Sequence, residues 1–109
     1  MAKSGWIGVD LDGTLAEYGG WIGPGHIGEP VPEMLERVKN WLAEGTEVRI
    51  FTARAYMDRD GSARRAIEDW CDLHIGQRLA VTNVKDYAMI ELWDDRAVQV
   101  EMNTGKRIG

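Results

Sequence analysis

Short apolar runs alternate along this chain with stripes of helical period, and that alternation admits few folds. Trp6-Ile7-Gly8-Val9 is an apolar run that stops at acidic residues and Gly13, as a buried strand does. After Pro30 and Pro32, the residues Met34, Leu35, Val38, Trp41 and Leu42 recur at helical spacing until Gly45 closes the pattern. Glu47 to Phe51 reads as a second strand running into Thr52-Ala53-Arg54. Ser62 is placed to cap a second helix, with Ala66, Ile67, Trp70 and Cys71 on one face and an end near Gly76. Leu79 to Val84 and Ile90 to Trp93 follow as strands, with Val98 to Met102 as a candidate fifth. This order predicts an α/β fold of Rossmann-like type: a mostly parallel sheet of four to five strands with helices on both faces.

Length and charge narrow the classes of function. A chain of 109 residues reads as one domain over 1–109, burying roughly 60–70% of the surface it exposes when unfolded. The formal charge of -5 argues against a general nucleic-acid or membrane-surface binder, though not against an anionic substrate held by local cations or a metal. No stretch approaches the roughly 20 apolar residues of a membrane span. Asp10 and Asp12 interrupt the apolar run where a signal peptide would continue. Cys71, the single cysteine, can form neither an internal disulfide nor a cysteine-rich zinc site, so a reduced, cytoplasmic setting is expected. Residues 15–29 are rich in glycine, with Trp21, Ile22 and His26 among them, and are expected to form a flap.

The chemistry collects at the strand ends. Asp10 and Asp12, then Thr52, then Lys85, then Asp94 and Asp95 each follow a predicted strand. In an open parallel sheet those ends lie side by side, beside the crevice where ligands bind. Two carboxylates about 4 Å apart repel by roughly 4 kcal/mol at an effective dielectric near 20, so such a group shifts its pKa values or recruits a cation. All-oxygen ligation favours Mg2+, and Lys85 with the Thr52 hydroxyl suits a phosphoryl group. Asp10 is placed to attack phosphorus. Asp12, two residues on, is placed to protonate the leaving oxygen and then activate water.

Asp10-Leu11-Asp12-Gly13-Thr14-Leu15 after an apolar strand resembles the first signature of the haloacid-dehalogenase (HAD) superfamily of phosphohydrolases. Thr52, Lys85 and Asp94-Asp95 follow in that family's order. The resemblance implies Asp10 as nucleophile, Asp12 as acid–base, and Thr52 and Lys85 as phosphate ligands. It further implies Mg2+ on Asp10, the Asp12 backbone carbonyl and the Asp94/Asp95 pair. Arg54 and the stretch Trp93-Asp94-Asp95-Arg96 are similar to the phosphatase domain of bacteriophage polynucleotide kinase–phosphatase, where the matching arginine helps bind phosphate. The large inserted cap of bigger relatives is missing.

The expected activity is Mg2+-dependent hydrolysis of a phosphomonoester, either a small phosphorylated metabolite or nucleotide or a phosphorylated nucleic-acid end. No membrane and no obligate protein partner is expected. The competing class is a non-enzymatic phospho-acceptor resembling a receiver domain. Its phosphorylated aspartate, however, sits on the middle strand, where this chain offers Thr52.

Overall fold

A computed structural model describes residues 4–109; residues 1–3 of the expected domain lie outside that range. β1 (Trp6–Val9) pairs in parallel with β2 (Glu47–Phe51) on one side and β4 (Met89–Trp93) on the other. β3 (Ala80–Thr82) extends the sheet beyond β2, giving the order β3-β2-β1-β4 with every pair parallel. β1 is central, so all four of its residues are buried, which explains its unbroken apolar character.

α1 (Pro32–Ala43) and α2 (Ser62–His74) make the β1–β2 and β2–β3 crossovers. Pro32 opens α1 at a position that needs no N–H, and Met34 and Val38 are its buried stripe. α2 buries Ala63, Ile67, Trp70 and Cys71. Both helices join one cluster with Ile7, Val9, Val48, Ile50 and Val81, which are alternate strand residues and therefore share a sheet face. Burial pushes the Cys71 thiol up to about 11, in keeping with an inert core residue.

The α/β class and the parallel sheet match expectation, but the helices do not cover both faces. β1 to β2 and β2 to β3 step in the same direction, and right-handed crossovers then put both helices on one side. The return from β3 to β4 carries no helix. On the opposite face the Trp6 ring is covered by Arg49, whose guanidinium lies 4.5 Å from the ring centroid. Trp6 Nε1 donates to Asp86 at 2.9 Å. A Cβ at Gly8 would meet Trp6, Met89 and Leu92, so side chains rather than a helix shield this face of β1.

Three local expectations also change. Val98–Met102 is not a fifth strand of the sheet; residues 99–108 fold on themselves, with Ile108 N–H donating to Gln99 O and Glu101 N–H to Lys106 O. Ser62 does not cap α2 but begins it, after Gly61 as N-cap. Asp60 accepts from Ser62 N–H and Asp58 from Ala63 and Arg64 N–H, so two carboxylates satisfy the helix start. β3 is shorter than Leu79 to Val84 because its pairing with β2 ends at Phe51↔Thr82.

The flap is shorter than residues 15–29. Leu15 and Ala16 are fully buried core residues, and Ala16 bridges Pro30. The segment leaves the body at Glu17, whose N–H donates to Glu29 O at 2.8 Å. Its two legs run so close that a Cβ at Gly28 would collide with Glu17 O. Trp70 Nε1, from α2, donates to Gly28 O at 3.0 Å and pins the flap's base to the helix layer. Among the described residues no helix is long and apolar enough to cross a membrane.

Candidate active site at the strand ends

The order of strand addition reverses at β1: from β1 the sheet grows outward through β2 and β3, then the chain returns to add β4 in parallel on β1's other side. Such a switch point opens a crevice at the carboxyl ends of the two strands. Asp10 follows β1 there, and Asp94 and Asp95 follow β4. Asp10 N–H donates to Trp93 O at 2.9 Å, which carries the pairing of these strands to the edge of the crevice.

Asp10, Asp94 and Asp95 each present a carboxylate oxygen, and these oxygens all lie within 4.8 Å of one another. Thr14 holds Asp95 in place reciprocally: its hydroxyl donates to Asp95 Oδ1 at 2.9 Å and accepts from Asp95 N–H at 3.0 Å. Gly13 has φ +90, and a Cβ there would stand 2.7 Å from Asp95 Oδ2. A side chain at 13 would therefore be strained and would push Asp95 out of the group. The expected meeting of acidic residues from opposite ends of the sequence is what the fold produces.

Burial raises Asp10, with the neighbouring Asp94 carboxylate next in importance and Asp95 contributing by contact and charge, to about 7. The sign for stability follows directly. Between the ordinary value of 3.8 and about 7, the unfolded chain has lost this proton while the folded one keeps it. Folding therefore weakens as pH rises through that window, and the loss is complete above it. In chelator, the melting temperature is expected to fall from pH 4 to pH 7 relative to an Asp10→Asn variant, a difference readable by circular dichroism. Parallel curves for the two proteins would refute this origin of the shift.

The cavity beside the acidic group has a volume of about 970 Å³. Asp10, Asp12, Thr52, Arg54, Asp94 and Asp95 all line it, so six of the seven predicted site residues converge. Thr52 is buried, donates its N–H to Thr82 O at 2.9 Å, and accepts Arg54 N–H on Oγ1 at 3.1 Å. It caps the single 3₁₀ turn Ala53–Ala55 and aims Arg54 across the site. Arg54 meets Asp12 squarely: Nε donates to Oδ2 at 2.8 Å and Nη2 to Oδ1 at 2.9 Å.

Lys85 is the exception. It lies three residues beyond the end of β3, is exposed, and does not line the cavity. Asn83, directly after β3, lines it instead. The strand-end reasoning that found Thr52 points to Asn83 once the true end of β3 is known. Thr14, which orders Asp95, lies within the first acidic motif but carries no sequence signal of that task. The remaining wall was missed apart from Trp21: Tyr18, Tyr56, Arg59 and Arg96 join it around the mouth. Tyr18, Trp21 and Tyr56 are each more than half exposed. His26 is exposed and borders a smaller recess beneath the flap, away from the acidic group.

No protein-family model matches this chain, and no curated protein does. Among solved structures, the chain is similar to a conserved protein coded by a locus of Bacteroides thetaiotaomicron, with a TM-score of 0.63 and 24% sequence identity. The match covers 88% of this chain and 79% of that one, and it supports the fold.

Proposed function

We propose that this chain is a Mg2+-dependent phosphomonoester hydrolase of HAD type that acts through an aspartyl-phosphate on Asp10. The observation that carries this reading is the gathering of Asp10, Asp94 and Asp95 oxygens within 4.8 Å at the switch point, beside a cavity lined by Thr52 and Asp12. Oxygen donors alone, one of them raised by burial and then by its acidic neighbours, are the donor set of a hard divalent ion. Asp10, Asp94 and Asp95 would hold Mg2+, with the Asp12 carbonyl as the further ligand implied by the family likeness. The ion supplies positive charge to the phosphoryl oxygens.

The residues divide the reaction between them. An Asp10 carboxylate oxygen bonds to phosphorus as the ester P–O bond breaks, and Asp12 gives its proton to the departing oxygen. Water then attacks phosphorus, Asp12 takes back a proton, and the bond to Asp10 breaks to release inorganic phosphate. Arg54 occupies one lone pair on each Asp12 oxygen, leaving others to carry that proton. Thr52 Oγ1 already accepts from Arg54, so its hydroxyl hydrogen is free to be donated to phosphate.

The cavity wall supports a leaving group with a flat ring. Tyr18, Trp21 and Tyr56 offer ring faces, and Arg59 and Arg96 offer cations for further negative charge, which fits a nucleotide or a nucleic-acid end better than a sugar phosphate. The strand order β3-β2-β1-β4 differs from the 2-1-3-4-5 order of receiver domains, which removes support for the phospho-acceptor alternative. Phosphate release from sugar phosphates, nucleoside monophosphates and 5′- or 3′-phosphorylated oligonucleotides, with and without Mg2+, tests the proposal. Mg2+-dependent turnover with nucleotide-type esters leading is expected. Stable phosphorylation without turnover would sink it.

A further inference from the structure

We propose that Arg54 is a positioning residue that locks the flap tip and the Asp12 carboxylate into one unit, rather than a primary ligand of the substrate phosphate. The kinetic part of this rests on the function proposed above; the structural part stands without it. The side chain of Arg54 is only 6% exposed, and its best hydrogen-bonding edge is already engaged. Nε and Nη2 form a paired fork to both Asp12 oxygens, at 2.8 and 2.9 Å. From the same guanidinium Nη1 reaches Pro24 O at 3.5 Å, and the group lies 4.8 Å from the centroid of the Trp21 ring.

A second observation makes this arrangement more than a local ion pair. The base of the flap is closed by the Glu17–Glu29 bond between its legs and pinned to the helix layer by the Trp70–Gly28 contact. Among the described residues, the tip (residues 19–26) makes no hydrogen bond to the rest of the chain apart from that of Arg54 to Pro24. Ile22 is 74% exposed and adds no burial at the tip. Among the described residues one side chain thus supplies the tip's hydrogen bond to the rest of the chain, and that side chain also grips the acid–base residue.

A lysine at this position would keep the charge but could neither form the fork nor lie flat on the indole. Arg54→Lys therefore separates the two roles. Loss of one charge-assisted contact should speed limited chymotrypsin cleavage after Trp21 roughly tenfold while leaving the sheet intact. Asp12→Asn should speed cleavage at the same site, and the double variant should add little to either single one, because both break one contact. In turnover, Arg54→Lys should lower kcat by about tenfold or more and move KM by less than about threefold.

Unchanged cleavage at the flap tip in a folded Arg54→Lys protein would overturn the proposal. So would a raised KM with kcat intact, which is the signature of a plain phosphate ligand. If the parent protein hydrolyses nothing, the function reading falls, and the cleavage experiment alone decides whether Arg54 ties flap to Asp12.

Discussion

Asp10→Asn is expected to cut Mg2+-dependent phosphate release by about ten-thousand-fold or more, because an amide nitrogen cannot take the place of the attacking carboxylate oxygen. The substitution preserves shape, so the circular dichroism spectrum should stay that of the parent. It also removes one of three crowded negative charges, which adds a second signature. With the metal chelated, relief of about 1 kcal/mol, a figure discounted for the solvent reaching this half-exposed site, should raise Tm by roughly 4–8 °C. Inactivity together with greater thermal stability is what a functional group held against its own stability predicts. Full activity in a folded Asp10→Asn protein would remove Asp10 from the chemistry.

Asp12→Asn should behave differently. An asparagine cannot donate a proton to a leaving oxygen or accept one from water, so turnover should drop by roughly 10²–10⁴-fold. The Asp12 side chain is not among the three whose oxygens cluster, and its carboxylate faces Arg54. Mg2+ affinity, measured by calorimetry, should therefore change by less than about threefold. An equal loss of metal binding and turnover would mean that Asp12 acts by holding the site together. Esters with very acidic leaving groups should lose least, because they need no proton on departure.

Much of the fold was legible because the strongest signals are local. β1 and β2 appear at their expected bounds, since an apolar run or alternation closed by polar or glycine residues specifies a strand without knowledge of its partners. β3 was overread: Leu79 and Val84 look like strand residues, but pairing lasts only while β2 supplies a neighbour, and Val84 is 61% exposed. That error displaced Lys85 into the site and hid Asn83. Val98, Val100 and Met102 alternate as a strand would, yet periodicity does not say whether a free sheet edge is near enough to receive them. The helix faces needed the strand order, from which handedness then follows.

The acidic set was readable from the strand-end rule, while the partnership of Arg54 with Asp12 was not. They stand 42 residues apart, and complementary charge alone pairs either of them with many others. The 3₁₀ turn capped by Thr52 selects this pair, and that is a property of backbone geometry. Trp21 likewise could be seen as a flap residue, but not as the surface on which Arg54 rests.

The bond between Thr14 and Asp95 joins positions 81 residues apart, and the chain between them includes both α-helices and three strands. During synthesis, the first carboxylate emerges some eighty residues before its companions. No partly folded species lacking β4 can assemble the acidic cluster, because Asp94 and Asp95 follow that strand. Closure of this distant contact is slow relative to helix formation. The appearance of divalent-ion affinity during refolding should therefore coincide with the final structural step.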